Sequence, residues 1–309
     1  MPASINIVEF PLDSVNFSDP ADPAERIAAV RRTREAAASN LLDALRGPGE
    51  KSERGIQDRW LHGMGKLSGI CAEGWYQPPP GGAAVLVGHA GDAHARLNYH
   101  SLRHEQTWSR SDIPLADDSL VYAYASPFDR NSAMIGDIGV TLYRGADDTI
   151  RRHLATCWEL TRKVAGYAEV GMELRTLFRY SQREIRSAEL VNETSATRSG
   201  LSNIGHTLPW SYGTYSAEAL RCLHAGDTAA LRSVISDARV SIDDRAVLRI
   251  EPDMALTVEP QISAESAPLC SYHVIVAFSG GVKEIISCFE DLFDEYGMEA
   301  YLPREGTAG

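Results

Sequence analysis

The sequence lacks most of the features that point directly to a function. No apolar run approaches the length of about 18 residues that a membrane-spanning helix needs. The N-terminal stretch MPASINIVEF has neither the positive region nor the apolar core of a signal peptide. A G-x-S-x-G elbow, an H-E-x-x-H pair and a Walker loop are also missing. We therefore predict a cytoplasmic protein that is neither a serine hydrolase of that type, a zincin nor a P-loop enzyme.

Excess positive charge and paired cysteines are also missing. Lys and Arg number 30 against 42 Asp and Glu, so the formal net charge is −12 at pH 7. A chain of this charge without a basic stripe repels a phosphate backbone, so nucleic acid is not an expected partner. The five cysteines are scattered without C-x-x-C spacing, which favours free buried thiols over a disulfide framework or a zinc site.

The patterns that are present alternate between long helices and strands. Helical periodicity covers residues 23–47 and 147–171, and each of these segments is followed by a second helical segment, at 48–67 and 172–185. This repetition indicates a weak internal duplication. Runs rich in β-branched or aromatic residues predict strands at 81–90, 118–128, 132–145, 246–262 and 271–289, the last as a hairpin with Ser-Gly-Gly at its tip. Together they predict an α+β fold.

Four of these segments carry a resemblance to a known family. The segments are MIGDIGVTLYRG (134–145), NIGHTLP (203–209), PDMALTVEPQI (252–262) and VIVAFSGGVKEIIS (274–287). In this order and approximate spacing they resemble the strands of the creatinase and methionine aminopeptidase superfamily, which has the pita-bread fold. The resemblance covers roughly residues 24–302. It implies an N-terminal extension (1–22) and one catalytic-type domain (23–309), with pseudo-symmetric halves at approximately 23–146 and 147–302 around a curved antiparallel sheet.

The resemblance also implies a metal site that is incomplete in this chain. Peptidases of the superfamily hold two metal ions with five ligands, and Asp137, His206 and Glu259 match three of those positions. Ser126 stands where the first aspartate is expected, and the segment 271–273 stands where the final glutamate is expected. A two-metal cluster without these carboxylates should not assemble, so we predict that no metal cofactor is bound. The alternative is a single divalent metal held by Asp137, His206, Glu259 and His273. Because the side chains of Tyr272 and His273 point to opposite faces of a strand, the roles of these two residues could exchange.

Without a metal, catalysis needs a positioned base. Creatinase uses a histidine on an early strand, and RLNYHSLRHEQTW (96–108) is the corresponding segment here. The resemblance implies an Asn followed about five residues later by the histidine, and Asn98 and His104 come closest to that pattern. Because an imidazole titrates near neutrality, we predict His104 as the general base, with His100 as the alternative. His206, Glu259 and Asp137 complete the predicted catalytic set. The predicted substrate-binding side chains are His100, Arg103, Trp108, Tyr124, Trp210, Tyr212 and His273. The aromatic members of this set could equally be ordinary core residues, and Asp137 could simply cap a turn.

The function that follows is a metal-independent small-molecule enzyme. It would catalyse hydrolysis, elimination or isomerisation of an amino-acid-derived substrate, and a homodimer partner would close the site. Two alternatives stay open at this point. One is a mononuclear metal-dependent aminopeptidase-like hydrolase, and the other is a non-catalytic module that binds a peptide or protein.

Overall fold

The computed structural model describes residues 22–194, 200–265 and 267–302. Within them the helices are α1 (Pro23–Arg46), α2 (Glu53–Gly65), α3 (Asp148–Tyr167), α4 (Leu174–Ser187), α5 (Ala217–Ala225), α6 (Thr228–Ala238) and α7 (Glu290–Tyr296). The strands of the first half are β1 (Ile70–Cys71), β2 (Ala83–Gly88), β3 (Leu120–Ala125), β4 (Phe128–Asp129) and β5 (Ile138–Tyr143). The strands of the second half are β6 (Val191–Asn192), β7 (Asn203–His206), β8 (Ser241–Asp243), β9 (Met254–Val258), β10 (Gln261–Ala264), β11 (Ala267–Ser271), β12 (Val274–Ser279) and β13 (Val282–Ile286).

Helix α1 shows how local sequence sets these elements. The Asp22 carboxylate accepts a hydrogen bond from the Glu25 backbone N–H (2.8 Å), and Pro23 occupies the first turn, where a missing N–H costs nothing. The helix ends at Arg46, and the following Gly47 caps it by donating its N–H to the Asp43 carbonyl (2.8 Å). Its apolar face is buried, and Arg34 is buried with that face.

Two three-stranded antiparallel sheets form the framework of the fold. The first is ordered β2-β3-β5 and the second β13-β12-β9. Every residue of β2, β3 and β5 is buried, which explains why these strands read as continuous apolar runs in the sequence. The hairpin between β12 and β13 turns through Gly280 and Gly281, both at positive φ, as a two-residue loop of this kind requires.

Single bridges join the two sheets into one curved surface. Val140 of β5 pairs with Tyr272, and the His273 N–H donates to the Gly139 carbonyl (2.8 Å). On the other side, Thr207 pairs with Leu256 of β9 and so attaches β7 and β8. The halves therefore meet along the segment between β11 and β12. The mixed arrangement of helices around antiparallel sheets confirms the α+β prediction.

The predicted helix pairs and main strands are present, whereas the hairpin α5–α6 was not predicted. This hairpin occupies residues 217–238, between β7 and β8. The predicted N-terminal extension lies, except for Asp22, outside the described residues. No helix in the described part of the chain is long and apolar enough to cross a membrane.

Candidate active site

Four side chains predicted from separate segments come together where the halves of the fold meet. The His206 Nε2 lies 3.3 Å from the Asp137 Oδ2 and 3.9 Å from the Glu259 Oε1. The His273 Nδ1 lies 3.0 Å from the Glu259 Oε2, although the N–H is not aligned with that oxygen, so this is an ion-pair contact rather than a linear hydrogen bond. Glu259 thus has one imidazole on each carboxylate oxygen.

Two glycines allow the strands to approach closely enough for this cluster. A Cβ on Gly139 would lie 2.4 Å from the Cδ2 of His273, so the imidazole occupies the space that any other residue would fill. A Cβ on Gly205 would lie 2.2 Å from the Thr257 carbonyl oxygen, and Gly205 also has a φ of +139°. Glycine is therefore required at both positions if His206 and His273 are to reach Glu259.

A buried arginine fixes the backbone beneath the cluster. The guanidinium of Arg34 donates to the carbonyl oxygens of Asp137, of His273 (2.5 Å) and of Ser287 (3.0 and 2.7 Å). Burial lowers the pKa of Arg34 to about 10, which still leaves the side chain charged at neutral pH. Because its acceptors belong to both halves, Arg34 holds the two halves in register at the site.

Trp75 contacts both the carboxylate of Asp137 and the ring of His206. Its indole N–H donates to the Asp137 Oδ1 (2.7 Å), and its ring contacts the His206 ring edge-on, with centroids 5.4 Å apart. The Arg239 guanidinium lies over the same indole, 3.9 Å from the ring centroid. Asp137 is fully buried, and its carboxylate contacts His206 rather than capping a turn.

Hydrogen bonding fixes the tautomer of His206. Its Nδ1 lies 2.9 Å from the Thr207 carbonyl oxygen, which can only accept, so Nδ1 carries a proton. In the neutral ring, the lone pair on Nε2 would then face the Asp137 carboxylate oxygen at 3.3 Å. That contact is favourable only when a proton or another cation lies between the two atoms.

Glu259 is held in its charged form. Burial acts to raise its pKa, but the nearby positive charges of His273, His206 and Arg239 more than offset burial and lower the pKa to about 2. The carboxylate is therefore ionised at neutral pH. A partly buried, ionised carboxylate of this kind attracts a cationic group.

The cluster lies at the base of a cavity of about 710 Å³, a size suited to a small molecule. Residues of the 72–77 loop, of the 99–103 segment and of helix α6 line its walls. Arg239, just after α6, reaches into the cavity, and its buried Nε has no hydrogen-bond partner among the described residues. Burial lowers the pKa of Arg239, while the charges of Asp137 and Glu259 oppose that change.

The structure brings some, but not all, of the predicted residues to this cavity. Glu259, His206, His273, Tyr124, His100 and Arg103 line it, and Asp137 lies directly behind it. The remaining predicted residues lie elsewhere: His104, Trp108, Trp210 and Tyr212.

The four residues outside the cavity have other environments. His104 is exposed and precedes a short 3₁₀ turn, and its carbonyl accepts from Thr107. Trp210 stacks on Tyr215, with ring centroids 5.4 Å apart. The Tyr212 hydroxyl bonds to Thr207 (3.1 Å), and the Trp108 carbonyl accepts from Arg96 (2.7 Å). Spacing along the 96–108 segment could not separate His104 from His100, because this segment is a series of turns rather than a strand.

Sequence reasoning missed the residues that complete the site, namely Trp75, Tyr122, Arg239 and Arg34. Arg34 could have been predicted as a buried residue, because it is a charged residue among the apolar positions of α1. The sequence offered no comparable indication for Tyr122, which is one aromatic residue in an apolar strand. Trp75 and Arg239 lie in loops, and their positions depend on contacts with distant segments.

The donor set does not fit the two-metal centre of the related fold. The Ser126 hydroxyl is already engaged, because it donates to the Gly82 carbonyl (3.0 Å) and accepts from the Tyr76 N–H (3.1 Å). His273, rather than a carboxylate, faces the site from the closing strand, whereas Tyr272 packs against Trp158 in the core. In residues 22–194, 200–265 and 267–302, no group of three or more His, Cys, Asp or Glu side chains is placed so that it could hold a metal ion.

Comparison with solved structures shows the fold. The chain is similar to an X-Pro aminopeptidase from Thermotoga maritima, with a TM-score of 0.58 and 13% identity over 86% of this chain and 62% of that chain. A prolidase from Thermococcus sibiricus matches with a TM-score of 0.58 and 12% identity over 87% of this chain and 60% of that chain. A methionine aminopeptidase from Thermotoga maritima matches with a TM-score of 0.58 and 12% identity over 86% of this chain and 98% of that chain.

These likenesses define the class of fold. The protein has the pita-bread fold of the creatinase and aminopeptidase superfamily, as the sequence resemblance predicted. It spans about three fifths of the length of the prolidase-type chains and nearly the whole of the methionine aminopeptidase chain. No protein-family model and no curated protein matches the sequence.

Proposed function

We propose that this protein is a small-molecule enzyme, a hydrolase or lyase of the aminopeptidase-like fold, that works without a two-metal centre. Its substrate is an amino-acid-derived compound that carries both a cationic group and a carboxylate. The observation that carries the proposal is the separation of charge inside one cavity. Ionised Glu259 lies at the base, and Arg239 lines the wall with a buried Nε that has no hydrogen-bond partner among the described residues.

Each charged group offers a specific contact to such a substrate. Glu259 keeps a negative charge in a partly buried position, so a cationic group that enters the cavity gains a strong partner there. The planar guanidinium of Arg239 can bind a carboxylate through two parallel hydrogen bonds. Such binding would also give the buried Arg239 Nε the acceptor that it lacks among the described residues. A zwitterion would satisfy both groups at once.

His206 then supplies the proton transfer. Its Nε2 lies 3.3 Å from the Asp137 Oδ2 and 3.9 Å from the Glu259 Oε1, and the residue lines the cavity. An imidazole nitrogen in this position can accept a proton from a bound substrate. Asp137, held by the Trp75 indole N–H, stabilises the imidazolium that results. This assignment replaces His104 with His206 as the proposed base, because His104 lies outside the cavity.

A panel of amino-acid derivatives tests the proposal. Dipeptides, N-acyl amino acids and amidino amino acids should be compared with their decarboxylated analogues, by turnover and by calorimetric binding. We expect turnover of a zwitterionic member and loss of that preference in Arg239→Gln, with the exposed Arg32→Gln as the matched control. Equal binding of compounds with and without the carboxylate would contradict the proposal.

Elemental analysis tests the part of the proposal that concerns metal. The protein should be purified without chelator or metal-affinity resin, and its metal content measured together with its turnover. We expect turnover that EDTA does not abolish. Two equivalents of bound metal, or activity that depends on added divalent ions, would overturn this part.

A further inference from the structure

Arg103 is a second arginine on the cavity wall that lacks an acceptor for one of its N–H groups. Its guanidinium lies over the ring of Tyr76, 4.2 Å from the centroid, and its Nη1 donates to the Gln77 carbonyl oxygen (2.6 Å). Its buried Nε has no hydrogen-bond partner among the described residues. Because a buried donor without an acceptor costs free energy, this arrangement indicates an acceptor that enters from the cavity.

Arg103 and Arg239 occupy matching positions on one loop of the cavity wall. Trp75 and Tyr76 are consecutive residues whose rings meet edge-on, with centroids 5.6 Å apart. The Arg239 guanidinium lies over Trp75 as the Arg103 guanidinium lies over Tyr76. Contact with an aromatic face holds each guanidinium in place. The cavity therefore presents two arginines on adjacent rings, each with a buried Nε that has no partner in the described part of the chain.

The charge of the whole protein makes the environment of Arg103 unusual. Acidic residues are in excess, with a formal net charge of −12, and other arginines pair with them. Arg110 in the same segment pairs with Asp112 (2.5 Å), and Arg232 on the cavity wall pairs with Glu73 (2.8 Å). Among residues 22–194, 200–265 and 267–302, no carboxylate forms an ion pair with Arg103. Its positive charge is thus available to a ligand in the cavity.

We propose that Arg103 forms a second anion-binding subsite, so that the substrate carries a second carboxylate besides the one that Arg239 binds. The inference rests on the proposed function, in which a cationic group binds at Glu259 and a carboxylate at Arg239. It narrows the substrate class to derivatives of an acidic amino acid, aspartate or glutamate. Arg103 is then the residue that selects an acidic side chain.

The hydrogen bond to Gln77 determines which edge of the Arg103 guanidinium meets the ligand. Because Nη1 is bonded to the Gln77 carbonyl, the opposite edge, formed by Nε and Nη2, is left for the cavity. A carboxylate can accept two parallel N–H bonds from a single edge of this kind. A carboxamide of the same shape offers only one acceptor oxygen, and its NH₂ group would face the N–H donors of the arginine. The subsite should therefore distinguish a carboxylate from the corresponding amide.

Pairs of ligands with the same shape test the subsite by calorimetric binding to the unmodified protein. Glycyl-glutamate is compared with glycyl-glutamine, and glycyl-aspartate with glycyl-asparagine. Within each pair the free amine and the C-terminal carboxylate are the same, and only the side-chain carboxylate is replaced by an amide. We expect at least one acidic dipeptide to bind roughly 10- to 100-fold more tightly than its amide partner. This comparison changes the ligand alone, so it does not depend on the folding of a variant.

Variants of Arg103 assign the preference to this residue. We expect Arg103→Gln to bind the acidic and amide dipeptides equally while keeping the preference for a C-terminal carboxylate, which depends on Arg239. Arg103→Lys keeps the charge without the fork of N–H donors, so it should keep part of the preference, and it serves if Arg103→Gln does not fold. Arg110→Gln is the matched control, because its side chain is 56% exposed and pairs with Asp112. It should leave both preferences unchanged.

The possible failures separate this inference from the proposed function. Equal binding of the acidic and amide dipeptides by the unmodified protein, with the preference for the C-terminal carboxylate intact, would overturn the second subsite alone. Loss of the C-terminal preference in Arg103→Gln would show that both arginines bind one carboxylate, and this too would overturn the second subsite. Failure of every zwitterionic compound to bind would overturn both proposals.

Discussion

Replacement of Arg34 by methionine should destabilise the protein far more than the same change at its neighbour Arg32. Arg34 is fully buried and is hydrogen-bonded to three backbone carbonyl oxygens, those of Asp137, His273 and Ser287. Methionine fills similar volume but leaves all three carbonyls without this donor. Arg32, in contrast, pairs with Glu25 at the surface, where both side chains are about half exposed.

The expected magnitude follows from the unsatisfied acceptors. Each buried carbonyl that loses its donor costs about 1–3 kcal/mol, so three cost roughly 3–9 kcal/mol. Relief from burying a charged group offsets part of this cost, because a well-packed apolar side chain avoids the desolvation of the guanidinium. After this offset we expect a loss of about 3 kcal/mol in the free energy of unfolding for Arg34→Met, the lower part of that range. For Arg32→Met we expect less than about 1 kcal/mol.

Urea or guanidinium unfolding, followed by tryptophan fluorescence and circular dichroism, measures both variants. Arg34→Lys should lie between the two, since a single ammonium cannot reach three carbonyls in the geometry of the guanidinium. If Arg34→Met unfolds within about 1 kcal/mol of Arg32→Met, the hydrogen bonds from Arg34 do not hold the halves together. If Arg34→Met does not fold, comparing the free energies of unfolding of Arg34→Lys and Arg32→Lys still shows whether the hydrogen bonds from Arg34 hold the halves together.

Three further predictions concern the site itself. Glu259→Gln should remove a stabilisation of about 3 kcal/mol that is present above pH 4.5 and is lost as the pH falls toward 2, because the folded-state pKa of Glu259 is lower than its usual value. Unfolding of the unmodified protein and of Glu259→Gln between pH 6 and pH 2 measures this. A difference in the free energy of unfolding that stays constant over this range would contradict the prediction. Arg239→Gln should weaken binding of a carboxylate-bearing ligand roughly 10- to 100-fold, as calorimetry would show, with little change for the decarboxylated analogue. Gly139→Ala should displace the His273 ring and cost about 1–3 kcal/mol, since the new Cβ would lie 2.4 Å from Cδ2; an unchanged His273 NMR signal would refute the packing argument.

The sequence indicated most clearly that two of the expected metal-binding carboxylates are absent from the site. Ser126 at the position of an expected aspartate is a difference of residue type, and residue type can be read without coordinates. The structure adds that the Ser126 hydroxyl bonds to backbone groups of the 74–82 segment, so it is not available as a ligand. For residues 271–273 the sequence left the facing residue open. Strand geometry decided it, because Tyr272 and His273 point to opposite faces and only His273 faces Glu259.

The sequence by itself determined the fold and three members of the cluster. Periodicity marked α1 to α4 and the main strands, because each of these elements buries an apolar face whose spacing is local. The motifs around Asp137, His206 and Glu259 carried the resemblance, because they are short continuous segments. Local pattern was enough wherever the physical cause of a structure lies within one element.

Only the tertiary structure decided which groups act together. Trp75 and Arg239 lie 164 positions apart in the chain, yet the guanidinium lies 3.9 Å from the indole centroid and both line the cavity. The Tyr122 hydroxyl meets the His273 Nε2 across a sequence separation of 151 residues. Contacts of this kind depend on how β3, β9 and the segment before β12 cross. No local pattern encodes that crossing, because it results from the packing of whole sheets.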